Sequence, residues 1–195
     1  MTEHALLSAS GAHRWLKCTP APRLEETLPE STSEYAEEGR LAHEIGELKL
    51  RKQFLEPMGQ RTFNGRLKKL QKKPHYDDEM LRHTETYLEY ISGIAHSCNS
   101  KPYVAVEKKL DYSAYAPEGF GTGDCILIHS DTLHVFDFKY GKGVPVSAEN
   151  NPQMKLYALG AYSAYAFLYP LQKVVLHIIQ PRGFSGEPSF WELPI

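Results

Sequence analysis

Gly121-Thr122-Gly123-Asp124-Cys125-Ile126-Leu127-Ile128-His129, then Ser130-Asp131, then Thr132-Leu133-His134-Val135-Phe136-Asp137-Phe138-Lys139-Tyr140, is the stretch on which the fold turns. Both long runs are rich in β-branched and aromatic residues and read as strands, and Ser130-Asp131 is a turn signal between them. Side chains alternate along a strand, so Asp137 and Lys139 point to one face. Folding the two runs about the turn, with His129 opposite Thr132, sets Asp124 opposite Asp137.

That register has a physical cost. Directly opposed residues have Cβ atoms roughly 4.5–5.5 Å apart, and like charges there are destabilising. Two adjacent carboxylates either share a proton or hold a cation. A divalent metal with open water positions is the economical reading, with Lys139 one pleat away, and such a site suits metal-assisted cleavage of a phosphodiester. The alternative is two solvated acids that happen to line up in a hairpin.

Composition bounds the rest. The 195 residues suggest one domain over 1–195, with residues 1–32 as a helix and loop and 57–100 as a helical insertion carrying a basic segment. Hydrophobic content of 42% with 24% charged residues fits a globular chain with a sizeable core. No run of about 18 apolar residues occurs, so no membrane span or membrane partner is expected. The N-terminus lacks a basic region followed by an apolar stretch, which predicts an intracellular, cytoplasmic protein. Cys18, Cys98 and Cys125 are widely spaced, which argues against a disulfide framework or a self-contained zinc site. Net charge is only −2, yet Arg61 to Lys73 holds Arg61, Arg66, Lys68, Lys69, Lys72 and Lys73 without an acid. Such a stretch can neutralise phosphates whatever the overall charge; otherwise it is a solvated connector between helices.

The pattern along the chain predicts a short helix over 8–17, a Pro/Ser/Thr/Glu-rich loop over 19–32, and a helix from about Ser33 to Phe54, capped by Ser31 with Glu34 or by Ser33. Leu41, Ile45 and Leu48 form its core stripe. A second helix is expected over 76–96, with Met80, Thr84, Tyr87, Ile91 and Ile94 on one face. Strands follow at 103–110, 122–129 and 132–140. Asn151 caps a helix that starts with Pro152 and reaches Leu168. Strands at 174–180 and 190–193 complete an α/β (α+β) fold with a mixed sheet flanked by helices.

Further polar residues fall where a site could use them. His43 lies roughly 160–200° around its helix from the core stripe. Gly39 and Gly46 flank it on the same face, where glycine is unfavourable by about 1 kcal/mol, and they leave room beside the imidazole. Gln153 and Tyr157, four residues apart, share a helix face, with Gln153 in the first turn where free N–H groups favour phosphate. Each also has an ordinary structural reading, as a surface histidine, a polar first turn and a packed tyrosine.

Taken together these residues resemble a known family. Glu38-Gly39-Arg40-Leu41-Ala42-His43 resembles a G-x-x-x-H motif, Gly121-Thr122-Gly123-Asp124 a G-x-x-D motif, Asp137-Phe138-Lys139 a D-x-K motif and Gln153-Met154-Lys155-Leu156-Tyr157 a Q-x-x-x-Y motif. Their order is similar to the RecB-like branch of the PD-(D/E)XK nuclease superfamily, which includes lambda-type phage exonucleases. The opening Leu7-Ser8-Ala9-Ser10-Gly11-Ala12-His13-Arg14-Trp15-Leu16-Lys17-Cys18 resembles a group of phage and prophage proteins in that branch. The likeness implies an αβββαβ restriction-endonuclease-like core. It implies that His43, Asp124 and Asp137, with the Phe138 carbonyl, bind the metal. Lys139 would position or activate water and stabilise charge, and Gln153 and Tyr157 would orient the site. Hard oxygen ligands suit Mg²⁺ or Mn²⁺, and one imidazole tilts the choice towards Mn²⁺.

The expectation is a metal-dependent deoxyribonuclease, phage or prophage encoded, with a role in recombination or DNA processing and a 5′-phosphate product. Arg66, Lys68, Lys69, Lys72, Lys73 and Lys142 are the expected DNA contacts. Ring-shaped relatives add a homo-oligomer, and a phage recombination partner such as a single-strand annealing protein, to the expected partners in a bacterial or phage-infected cell. The rival from another class is a DNA-binding or assembly subunit that keeps the fold without turnover. Iron–sulfur members of the branch pair an early cysteine with three late ones. Cys18 matches the early position but no cysteine follows Cys125, so no iron–sulfur cluster is expected within these residues, and Cys18 is expected to be a small buried hydrophobe.

Overall fold

The computed structural model of the chain describes residues 5–28 and 33–195. Short helices α1 (Ala12–Trp15) and α2 (Ala21–Glu25) precede α3 (Glu34–Leu50), α4 (Gln60–Leu70) and α5 (Glu79–Ser97). Strands β1 (Tyr103–Asp111), β2 (Phe120–His129) and β3 (Thr132–Phe138) follow, then α6 (Pro152–Tyr165), β4 (Lys173–Ile179) and β5 (Ser189–Pro194). The five strands form one sheet in chain order; β3 and β4 are parallel and the other neighbours antiparallel. The fold is therefore mixed α/β, as the strand and helix patterns predict.

Local chemistry explains the main boundaries. Ser33 Oγ accepts the N–H of Ala36 at 3.2 Å and caps α3, while Ser31 lies outside the described residues. Asn151 Oδ1 accepts the N–H of Met154 at 3.2 Å, with Pro152 at the first helical position of α6. Two elements differ from expectation. The proline-rich segment before residue 29 contains α2, which begins immediately after Pro20. The basic segment forms α4, because Phe63 buries and Leu67 and Leu70 pack beside it at helical spacing. Cys18 is exposed rather than buried, since it lies on the turn between two short surface helices.

The sheet separates two apolar layers. On one side α6 packs Met154, Leu156, Tyr157 and Ala161 against Ile126, Val135 and Leu176. On the other, α3 and α5 pack Leu41, Ile45, Tyr87 and Ile91 against Leu127, Phe136 and Phe138. Each large side chain fully withdrawn from water here contributes about 1.5–3 kcal/mol. Among the described residues no helix is long and apolar enough to cross a membrane.

The sheet also forks. The β2–β3 ladder has the expected register, from His129–Thr132 to Cys125–Phe136. Beyond that pair β2 stays with β1 as far as Phe120, while β3 stays with β4 as far as Phe138. Asp124 and Asp137 are the next residues on the two parting strands. The facing of side chains changes at the same level. Ala105 and Leu110, an odd number of residues apart on β1, both belong to the α6 layer. Glu107 lies between them at φ +51°, which supplies the change of parity. On β2 two glycines sit in close contacts: a Cβ would stand 2.8 Å from Tyr157 Cε1 at Gly121 and 2.8 Å from Leu110 Cδ1 at Gly123, so a larger residue would have to displace those side chains.

A histidine pair beyond α5 links β3 to β4. His134 Nδ1 and His177 Nε2 lie 3.0 Å apart, and Tyr90 Oη is 3.0 Å from His177 Nδ1. Burial pushes His134 down to about 4, with Lys173 adding to the effect. Burial and His134 push His177 down to about 3. A folded-state value below the usual 6.5 holds stability above pH 6.5 and loses it as pH falls. The change in urea midpoint from pH 7.5 to pH 5.0 should therefore be less unfavourable in His177→Phe, which keeps the stacked ring, than in wild type; an equal change in the two contradicts this account.

Candidate metal centre

The fork gathers polar side chains from five elements, α3, β1, β2, β3 and α6. Asp124 Oδ2 accepts the N–H of Phe138 at 2.7 Å and so bridges the parted strands. Its other oxygen, Oδ1, lies 3.4 Å from His43 Nδ1 on α3. The His43 ring sits edge-on to Phe138, with centroids 5.4 Å apart. Of the two glycines flanking His43, Gly39 faces open space, whereas Gly46 admits Tyr87: a Cβ there would meet Tyr87 Cδ1 at 3.4 Å. Tyr87 in turn stacks on Phe138 at 4.8 Å.

Asp137 is almost fully buried, at 2% exposure, and faces α6. Gln153 Nε2 donates to Asp137 Oδ1 at 3.0 Å and to Tyr157 Oη at 3.2 Å, while Gln153 Oε1 accepts Lys139 Nζ at 3.0 Å. Lys139 Nζ lies 2.8 Å from Asp137 Oδ2. That contact is an ion pair without hydrogen-bond angles, so Oδ2 remains a buried oxygen with no hydrogen bond. Asp124, Asp137, Lys139, Gln153, Tyr157 and His43, distant in sequence, thus converge on one place.

Glu107 joins them and was missed from sequence. One ligand atom each from His43, Glu107 and Asp124 lie within 4.8 Å of one another. Glu107 falls opposite Asp124 in the register that its neighbours Val106–Cys125 and Lys108–Gly123 define. The signal was present as a lone acid within Val104-Ala105-Val106-Glu107-Lys108, but using it required the β1–β2 register.

Crowding of charge shows in the ionisation of these groups. Burial raises Glu107 to about 7, with Asp124 and Glu47 adding to the effect. Burial opposes charge on His43, yet Asp124, with Asp137 and Glu107, outweighs it and lifts the imidazole to about 9. Burial likewise acts to raise Asp124, but His43, the Phe138 amide and Lys139 hold its carboxyl below the ordinary value. Asp137 is raised, because burial and Asp124 outweigh Lys139. Two acids whose values are pushed up, beside an imidazole whose value is pushed up by the same acids, mark a place short of positive charge. A divalent cation meets that need, and the donor set of carboxylate oxygens and one imidazole fits Mg²⁺ or Mn²⁺.

The expected DNA contacts are more dispersed. Arg66 pairs with Glu56 at 3.1 Å, and Lys73 pairs with Glu44, the residue after His43. Lys68, Lys69 and Lys72 are exposed along the end of α4 and the turn that follows it. Lys142 is exposed on the loop after β3. Arg182, not anticipated, leaves β4 to pair with Glu38 of α3 at 2.8 Å and lies over the Tyr140 ring at 4.3 Å.

A family model described as "Protein of unknown function (DUF2800)" matches residues 4–195. A solved structure described as "Crystal structure of SSO0001" aligns with 94% of this chain and 77% of its own, at 15% identity and a TM-score of 0.31.

The His43–Asp124 pair gives a signed expectation. An imidazole raised above 6.5 adds stability that is complete below pH 6.5 and lost as pH rises through about 9. In EDTA, melting temperature should fall between pH 7 and 9.5, and His43→Gln should flatten that fall; an unchanged slope in the variant contradicts the ion pair.

Proposed function

The chain belongs to the DUF2800 family, and from the side chains at the fork we propose that it is a metal-dependent DNA nuclease. The observation that carries this reading is the cluster of His43, Glu107 and Asp124, tied through the Phe138 amide to the strand that carries Asp137, with the Lys139 ammonium held against Asp137 by Gln153. The likeness to RecB-like PD-(D/E)XK nucleases predicts His43, Asp124, Asp137, Lys139 and Gln153 in that order along the chain, but not Glu107. His43, Asp124 and Asp137, with the Phe138 carbonyl, would hold Mg²⁺ or Mn²⁺, and Glu107 is a further oxygen donor. When bound, the cation supplies charge neutralisation on the phosphate and lowers the pKa of water.

The chain's own residues would do the rest. Gln153 fixes Lys139 and Asp137 relative to each other through one amide, so the ammonium stands ready to orient water and stabilise charge on a phosphate oxygen. Tyr157 holds that amide in place from the next turn of α6. Phe138, wedged between His43 and Tyr87, keeps water from one side of the acids. Exposed Lys68, Lys69 and Lys72 extend from a helix tied to α3 next to His43 and would neutralise backbone phosphates. Bacterial or prophage DNA processing in the cytoplasm is the setting this activity suits.

Incubating linear single- and double-stranded DNA with the protein and Mn²⁺ or Mg²⁺ should give 5′-phosphate products. Lys139→Ala should lower the rate by on the order of 100-fold or more. Digestion by both proteins alike would trace the activity to a contaminant, and binding without digestion would favour a non-catalytic DNA-binding subunit. Converting Lys68, Lys69 and Lys72 to Ala should flatten the dependence of log affinity on log salt by about 0.7–0.9 per lost phosphate contact; an unchanged slope returns α4 to a structural role.

A further inference from the structure

Beyond the acids the β1–β2 ribbon runs on in regular register. Lys109 pairs with Thr122, Leu110 with Gly121 and Asp111 with Phe120. Leu110 is fully buried and Gly121 lies against Tyr157, so both face α6. Their neighbours Lys109, Asp111, Phe120 and Thr122 therefore point to the opposite face, the side from which α3 delivers His43. Glu107 and Asp124, two residues inward, meet His43 on that face. Lys109 and Thr122 thus stand one pleat, roughly 6.4–6.8 Å, outward from the acids.

This outer face is open. Lys109, Asp111 and Thr122 are exposed and Phe120 is half-buried. On the other face α6 closes down, so that a Cβ at Gly160 would stand 2.9 Å from Leu110 Cβ. A ligand reaches the ribbon beside the acids from the α3 side.

Lys109 is poised for an anionic one. Its Nζ lies over the Phe120 ring, 4.0 Å from the centroid, which holds the ammonium in place. Among the described residues Lys109 has no ion-pair partner, whereas Arg66, Lys73 and Arg182 each pair with a glutamate. Asp111, its neighbour on the open face, is occupied in accepting the N–H of Ser113 at 2.8 Å. Thr122, directly opposite, is too short to shield the ammonium. A cation without a counter-ion, one pleat from a cluster that itself calls for a cation, matches a ligand with negative charges in series. A nucleic-acid backbone has that form: one phosphate on the bound ion, the next on Lys109. A small phosphate monoester offers nothing to the second position.

We propose that Lys109 binds the phosphate next to the one at the metal centre, so that the open face of the β1–β2 ribbon carries the backbone of the strand being cut. This inference rests on the nuclease reading and deepens it by assigning the path of the substrate away from the acids. Lys109 positions the strand and takes no part in breaking the bond.

The test is equilibrium DNA binding across a salt series, with Ca²⁺ in place of Mg²⁺ so that affinity is read without turnover. Lys109→Met keeps an apolar stem over Phe120 and removes the charge. It should weaken binding on the order of 5-fold at low salt and lower the slope of log affinity against log salt by about 0.7–0.9. Lys109→Arg should keep both the affinity and the slope. Wild-type affinity and slope in Lys109→Met overturn this contact and leave the nuclease reading standing. An equal loss in Lys109→Met and Lys109→Arg traces the effect to packing on Phe120 and overturns it as well. Failure of the wild type to bind DNA at all overturns the nuclease reading and this inference with it.

Discussion

The bond from the Phe138 amide to Asp124 holds two diverging strand pairs at the distance the centre needs. Where β2 and β3 separate, each loses a partner for its backbone, and an unpaired buried amide is expensive. Asp124 meets that demand with one oxygen and turns the other towards His43. A backbone requirement thereby fixes a carboxylate, and the carboxylate meets His43 midway along α3. The small residues of β2 suit the same geometry: Tyr157 and Leu110 close on Gly121 and Gly123, where an added side chain would have to push them aside.

Electrostatics explains why so much of the neighbourhood is polar despite burial. Bringing Glu107, Asp124 and Asp137 together would be unfavourable with no compensating charge. His43 and Lys139 supply part of it from opposite layers, one from α3 and one from the end of β3. The balance remains incomplete, as the raised values of Glu107 and Asp137 indicate. Burying acids at raised values beside an ammonium is the kind of arrangement found where a site, rather than stability, sets the residues.

Much of this was legible in the residues themselves. The β2–β3 register followed from a two-residue turn between strand-like runs, and Lys139 from period two. The caps at Ser33 and Asn151 followed from side-chain chemistry local to each helix end. What stayed hidden depends on distant pairing. Glu107 sits on a strand whose neighbour is known only once the sheet is assembled, and its positive φ reverses the alternation on which a pattern reading relies. The helix α4 was masked by its charge, since only Phe63, Leu67 and Leu70 face inward. Arg182 pairs with a residue 144 positions away, beyond any local signal.

The claim at the centre is that the side chains at the fork grip one divalent ion. Crystals soaked in Mn²⁺ and measured for anomalous scattering address it directly. The account predicts a strong peak held by His43, Glu107 and Asp124, on the side towards Asp137. Density that shows no peak there, with manganese bound only at surface acids, would contradict it.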